Sequence, residues 1–304
     1  MVTSWTPALQ KIRAGRPVED ASGSLDISGK REYRGSGGKS LPSYLSSEPD
    51  REWNACENYV VTRQKDNSRK GKRVCIVAPH ATCGGGCDRY TASLAYNVLQ
   101  RLESTDKAHS YKLLISATPR SELDYNRSLN SFRKAVKYYE SRKKVLDMKG
   151  EKSKELLEEY DRYWTTCAIP AASVAEYAVK KKAYKGFQNE IDESDLVIEI
   201  HGFGKLKEKD YSNVELGTKS GKRSEKLEAA SKRYCERNSG LMDASVNHIF
   251  SGGKTSNKQV SLPRVLEKKP VLLVESSYNA RTKRSDDLAS FIAGLSRELA
   301  QELL

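Results

Sequence analysis

The sequence predicts an α/β fold built on a mostly parallel sheet with helices on both faces. Three observations lead there. Four short apolar runs rich in β-branched residues lie between residues 73 and 274, each too short for a helix. Stretches with helical apolar spacing alternate with them, the order expected of strands joined by crossover helices. The chain has 304 residues, 37% hydrophobic and 31% charged, enough to bury a core without disulfide support.

Residues 1 to about 70 are polar and carry Gly/Ser clusters such as Gly35-Ser36-Gly37-Gly38, so they read as an irregular extension. The remainder, 71–304, reads as one catalytic domain. Its first strand is Val74 to Ala78, followed by Pro79-His80 and the loop Ala81 to Asp88. From Asp88 to Glu103, Leu94, Ala95, Leu99 and Leu102 share one helical face. The second strand, Leu113 to Ala117, leads to Asp124-Tyr125-Asn126-Arg127. Leu129 to Trp164 reads as an insertion of two charged helices, broken near Lys149-Gly150. The third strand, Leu196 to Ile200, ends in Glu199-Ile200-His201-Gly202, and the fourth, Val271 to Val274, ends in Glu275-Ser276-Ser277. Asp286 to Leu304 closes the chain as a helix, with Leu288, Phe291, Ile292, Leu295 and Leu299 at helical spacing and Asp286 placed to cap it.

Composition narrows the function classes. No stretch approaches the ~20 apolar residues of a membrane span, and Met1 to Arg16 has no apolar signal-peptide core. Six cysteines are too few for a disulfide scaffold, which favours a reducing cytoplasm. The 53 basic and 40 acidic residues leave a formal charge of +13, which suits an acidic partner: a carboxylate-bearing substrate, a nucleic acid or an anionic surface.

In open α/β sheets, sites form at the C-terminal ends of the strands. Two of the four histidines stand there, together with Glu275. Zinc hydrolases combine His and carboxylate ligands and keep one position open for water. His80, Asp88 and His201 are therefore candidate ligands, and Glu275 is the candidate general base. Asn126 and Arg127 are candidates to clamp a substrate carboxylate, because guanidinium binds carboxylate in a two-pronged fork. Other roles stay open. Asp88 is equally placed to cap the helix that follows it. Cys83 and Cys87 form with His80 a His-x2-Cys-x3-Cys cluster whose thiolates would compete with Asp88 for zinc. Glu199 shares its strand face with His201 and either orients that ligand or forms a buried ion pair. Cys75 belongs to the core, and His109 and His248 receive no role. No Gly-x-Ser-x-Gly elbow is present, and Gly84-Gly85-Gly86 lacks the Lys-Ser/Thr of a phosphate loop. Lys180-Lys181-Lys182 and Lys219 to Arg237 are basic enough to touch phosphates, but such runs are also ordinary solvated helix faces.

Pro79-His80 with its Gly-rich loop and Asp88, Asp124-Tyr125-Asn126-Arg127, Ile200-His201-Gly202, and Val274-Glu275 before a C-terminal helix together resemble the N-formylglutamate amidohydrolase family. That family is similar in turn to zinc carboxypeptidases and phage poly-γ-glutamate hydrolases. The resemblance spans about residues 73–304. It implies a three-layer α/β/α sandwich of the phosphorylase/hydrolase type. It also implies a zinc ion on His80, Asp88 and His201, with Glu275 as the catalytic carboxylate. Asn126 and Arg127 fall on the substrate-carboxylate pair. The Cys-bracketed loop and the charged helical segment 129–164 depart from the family pattern. The expectation is a zinc-dependent amidohydrolase acting on an acidic N-acyl amino acid or a γ-glutamyl peptide. Carboxypeptidase-like peptide cleavage on the same scaffold and non-enzymatic nucleic-acid binding are the alternatives.

Overall fold

The four apolar runs form neighbouring parallel strands at the centre of the molecule. The computed structural model describes residues 51–55, 59–64, 71–81, 88–116, 118–147, 153–204, 212–221, 223–250, 254–255, 258–259 and 269–303. In chain order the elements are β1 (Arg51–Ala55), β2 (Tyr59–Gln64), β3 (Arg73–Ala78), α1 (Thr91–Thr105), β4 (Ser110–Ser116), α2 (Phe132–Asp147), α3 (Lys154–Thr166) and α4 (Val174–Asp192). They continue with β5 (Leu196–Phe203), β6 (Val214–Gly221), α5 (Ser224–Arg237), β7 (Ala244–Val246), β8 (Lys254–Thr255), β9 (Lys258–Gln259), β10 (Pro270–Ser277), α6 (Tyr278–Lys283) and α7 (Ser285–Leu303). The main sheet has eight strands in the order β1-β2-β4-β3-β5-β10-β6-β7. β4, β3, β5 and β10 run parallel, and β2 and β6 flank them antiparallel.

Each face of this sheet carries its own apolar layer, as a parallel core buried on both sides requires. On one face Val74, Ile76, Ile198, Ile200, Leu272 and Val274 meet α1, α5 and α7. α7 contributes Leu288, Phe291, Ile292, Leu295 and Leu299, as its spacing predicts. On the other face Cys75, Val77, Leu114, Val197 and Val271 meet Tyr184, Phe187 and Ile191 of α4 and Ala135 of α2. The predicted α/β sandwich is therefore what forms.

Three details differ from the sequence reading. Residues 51–64, counted with the polar extension, supply the antiparallel pair β1 and β2, which docks on β4. Residues 1–50 lie outside the described residues. Asp286 sits inside the first turn of α7, which starts at Ser285, so its acidic side chain faces the positive end of the helix dipole. α4 forms across Val174–Asp192, where apolar spacing is interrupted by Lys180-Lys181-Lys182. The two charged helices of the insertion, α2 and α3, form on either side of the expected break.

Site-forming loops leave β3 and β4 toward opposite faces: α1 follows β3 on one side, and α2 to α4 follow β4 on the other. β3 and β5 are adjacent and their following connections leave toward opposite edges of the sheet, so their C-terminal ends mark the switch point where such sheets place their sites.

Candidate metal centre

His80 stands two residues beyond β3, and the backbone N–H of Asp88 returns to the His80 carbonyl at 3.0 Å. That bond brings Asp88 against His80. The carbonyl of Asp88 accepts from both the N–H and the hydroxyl of Thr91, so the backbone of Asp88 holds the start of α1. Tyr90, in the left-handed region at φ 69°, is the capping residue and makes no side-chain cap bond. The Asp88 carboxylate is thereby released from capping and turns to the histidines. Its Oδ2 lies 3.0 Å from His201 Nδ1 and 3.3 Å from His80 Nδ1.

The opposite ring nitrogens are held from behind. His80 Nε2 donates to Asp124 Oδ1 at 3.0 Å, and His201 Nε2 donates to Glu199 Oε1 at 2.9 Å. Asn126 Nδ2 donates to the same Glu199 oxygen at 2.5 Å and lies 2.9 Å from His201 Nε2. Carboxylates that fix the far nitrogen set the tautomer and aim the near lone pair, the arrangement found behind metal-ligating histidines. Of the two roles open to Glu199, its partner is thus the candidate ligand itself.

Asp124 is fixed in turn by Arg120, whose Nε donates to Oδ2 at 2.7 Å, with Arg127 Nε at 3.7 Å. Its Oδ1 also accepts the Asn126 N–H at 2.9 Å, an Asx-type turn that fixes the Asp-Tyr-Asn-Arg segment. Arg120 stacks over the Trp164 ring at 5.1 Å, and Arg127 Nε donates to the Trp164 carbonyl at 3.3 Å. The end of the helical insertion therefore forms a wall beside both arginines. Arg120, Asp124 and Trp164 had no role in the sequence reading. Only the position of Asp124 just before the Asn-Arg pair hinted at its part.

The donor set fits a cation. One ligand atom each from His80, Asp88 and His201 lies within 4.8 Å of the others. With both Nε2 atoms held by carboxylates, each Nδ1 faces the Asp88 oxygen, and a cation that displaces the His201 proton would meet two imidazole lone pairs and a carboxylate oxygen. His80 Nδ1 is buried and makes no hydrogen bond among the described residues; the same holds for Asn126 Oδ1. Nitrogen and carboxylate oxygen are the ligand types zinc takes in catalytic sites. Cys83 and Cys87 lie outside the described residues, so the His-Cys-Cys alternative falls there too.

Charge in the cluster shifts its groups strongly. Burial raises the Asp88 carboxyl, but the bond to His201 and the closeness of the His80 ring outweigh this and hold it well below the carboxylate range. Burial likewise opposes ionisation of Asp124, and the Arg120 and His80 charges reverse that, leaving it far below its usual value. Burial disfavours a charged His201, yet bonds to Asp88 and Glu199 push it up to about 10. Glu275 faces this group from β10, in register with His201 on the adjacent strand. Its carboxyl is pushed up to about 7 by burial and by the Asp88 and Glu199 charges, against the pull of His201 and Arg281.

The remaining sequence candidates fall elsewhere. Lys180 is buried and bonds Glu122, Glu176 and the Pro170 carbonyl, so it is internal support for α4. His109 bonds Asp106 at 2.8 Å, beyond the C-terminal end of α1. Cys75 is a core residue whose thiol burial pushes up to about 11.

No protein-family model matches the sequence, and no curated protein matches it. Solved structures do match. A gene product of Agrobacterium tumefaciens superposes over 81% of this chain and 96% of its own, with a TM-score of 0.51 and 13% identity. An N-formylglutamate amidohydrolase from Ralstonia eutropha covers 80% of this chain and 97% of its own at a TM-score of 0.46 and 13% identity. For a metallo-carboxypeptidase from Burkholderia cenocepacia the shares are 86% and 67%, the TM-score 0.45 and the identity 11%. At 13% identity the likeness to the Agrobacterium protein is one of fold.

Proposed function

We propose that this chain is a zinc-dependent amide hydrolase acting on an acidic N-acyl amino acid or a γ-glutamyl peptide. One observation carries the reading. His80 Nδ1, Asp88 Oδ2 and His201 Nδ1 converge in a buried cluster, while Asp124 and Glu199 hold the far side of each ring. The sequence likeness to N-formylglutamate amidohydrolases at these same residues supports it.

A zinc ion held by these three residues would supply Lewis-acid polarisation of a carbonyl and acidify water. The chain's own groups do the rest. Glu275, partly enclosed beside His201, takes a proton from the attacking water and returns it to the departing amide nitrogen. The products are an acid and an amine, so the proton balance closes on Glu275. Asn126 Oδ1, buried and without a hydrogen bond among the described residues, offers an acceptor to a substrate N–H. Arg120 and Arg127 bring positive charge to the Asp124 side, which suits a substrate carboxylate.

The test is metal content followed by hydrolysis. The purified protein should hold about one zinc per chain, and a His80→Ala, His201→Ala double variant should hold none. Zinc-loaded protein should release amine from N-formylglutamate, N-acetylglutamate or γ-glutamyl dipeptides, and the double variant should not. Full zinc retention in the double variant, or turnover unaffected by zinc removal, would overturn the proposal.

A further inference from the structure

The strand ends that carry the site are tied by one side chain outside it. Arg281 lies in α6, the short helix entered directly from β10 and capped by Ser277, whose hydroxyl accepts from the Ala280 N–H. Helical side chains lean toward the N-terminus of their helix, which here means back over the end of β10. The Arg281 guanidinium is buried and donates to three backbone carbonyls from three separate segments. Nε donates to Arg89 at 2.8 Å, Nη1 to Ser276, and Nη2 to Phe203 at 3.4 Å. Arg89 follows Asp88, Ser276 follows Glu275, and Phe203 lies two residues past His201.

Two further features belong to the same tie. Ser276 Oγ donates to the His201 carbonyl at 3.0 Å and accepts from Arg281 Nη1 at 3.4 Å. Gly202 lies flat against the guanidinium, and a Cβ at that position would overlap its Cζ and both terminal nitrogens. The His-Gly pair at the end of β5 is thus a ligand followed by the one residue that admits Arg281. Burying a guanidinium is costly unless its N–H groups are satisfied. Only a planar fork with five donors serves three divergent carbonyls at once.

We infer that Arg281 is a positioning residue for the metal centre, fixing the backbone beside Asp88, His201 and Glu275 together. This rests on the metal reading given above. Arg281 holds the centre through backbone carbonyls, and its charge also pulls on Glu275. It sets the spacing of two ligands and the base that come from three distant parts of the chain.

The experiment compares Arg281→Lys, Ser276→Ala and the unchanged protein, each freed of metal and then titrated with zinc against a chelating dye. Arg281→Lys keeps the charge but cannot reproduce the fork. Its zinc affinity should fall on the order of 10-fold or more, as for other groups that orient ligands. Ser276→Ala, which removes only the hydroxyl, should lower zinc affinity several-fold, and the double variant should lose less than the product of the two. Hydrogen exchange on the metal-free proteins gives a readout independent of zinc. In Arg281→Lys the amides of residues 89–91, 201–203 and 275–277 should lose protection together, while those of β3 keep theirs. Zinc affinity within twofold of the unchanged protein in both variants, or protection lost only within α6, overturns the inference. If Arg281→Lys does not fold, Ser276→Ala decides by the same measures. If the unchanged protein binds no zinc, the metal reading fails, and hydrogen exchange still decides whether Arg281 ties the three strand ends.

Discussion

Glu275 and His201 are partners across parallel strands, so their side chains leave the same face of the sheet side by side. A carboxylate in that enclosed place is stable in only two ways. It is neutral, or a cation lies near it. Its upward shift to about 7 brings the neutral form within reach near neutral pH in the protein without metal, against the pull of His201 and Arg281. The general-base role requires the second. Glu275→Gln keeps the shape and removes the basicity, so it should retain fold and zinc and lose on the order of 10²–10⁴-fold in turnover. A purely structural Glu275 gives the reverse: lower melting temperature with activity intact. Melting, zinc content and turnover of this one variant separate the two. His80, His201 and Glu275 were legible because a polar residue at the end of a buried apolar run is conspicuous in one dimension. Asp124 and Arg281 were not. Asp124 meets His80 across 44 positions of sequence, and Arg281 meets Arg89 across 192, so only the fold brings them together.

At the scale of elements, α4 carries more of the site than its sequence suggests. Phe187 is fully buried and stacks on Tyr125 with ring centres 3.8 Å apart. The Tyr184 hydroxyl donates to the Arg127 carbonyl at 2.8 Å. The helix therefore holds the Asp-Tyr-Asn-Arg segment in place from behind. Phe187→Ala should cost about 3–5 kcal/mol of stability, read as a lower denaturation midpoint. α4 escaped the sequence reading because Lys180 interrupts its apolar stripe. In three dimensions that lysine is buried and neutralised by Glu122 and Glu176. A second element-scale prediction concerns the end of α1. Burial raises the Asp106 carboxyl, but bonds from Tyr111 at 2.6 Å, His109 and the Ala108 N–H outweigh it, so its folded value lies below the ordinary one. A depressed carboxyl stabilises fully above its unfolded value of about 3.9 and loses that contribution as pH falls through the folded value. Asp106→Asn should therefore melt lower than the unchanged protein at pH 7. The gap should narrow steadily below about pH 4. A gap independent of pH would assign the effect to packing instead.

For the whole molecule, the sandwich was readable from the alternation of apolar runs and helical stretches. Its width was not. β1, β2, β6 and β7 extend the sheet beyond the four central strands, and their sequences are polar enough to pass for loops. Strands at the rim of a sheet need less apolar sequence than those buried on both faces, which explains why only the centre announced itself. That centre gathers His80 just past β3, Asp88 just before α1 and His201 in β5, so a cation bound there would join the ends of three elements. An ion that binds the folded chain and not the unfolded one stabilises it by mass action, about 2.7 kcal/mol at a hundredfold excess over its dissociation constant. For a domain of this size each kcal/mol raises the melting temperature by about 2–4 °C. Zinc added to chelator-treated protein should then raise melting by roughly 5–10 °C, and magnesium, which prefers six oxygen ligands, should do far less. The shift should vanish in the His80→Ala, His201→Ala variant. A Cys83→Ser, Cys87→Ser variant should keep it, because the cluster that converges uses Asp88 as its third donor. Loss of the zinc shift in the cysteine variant would transfer the metal to the His-Cys-Cys arrangement.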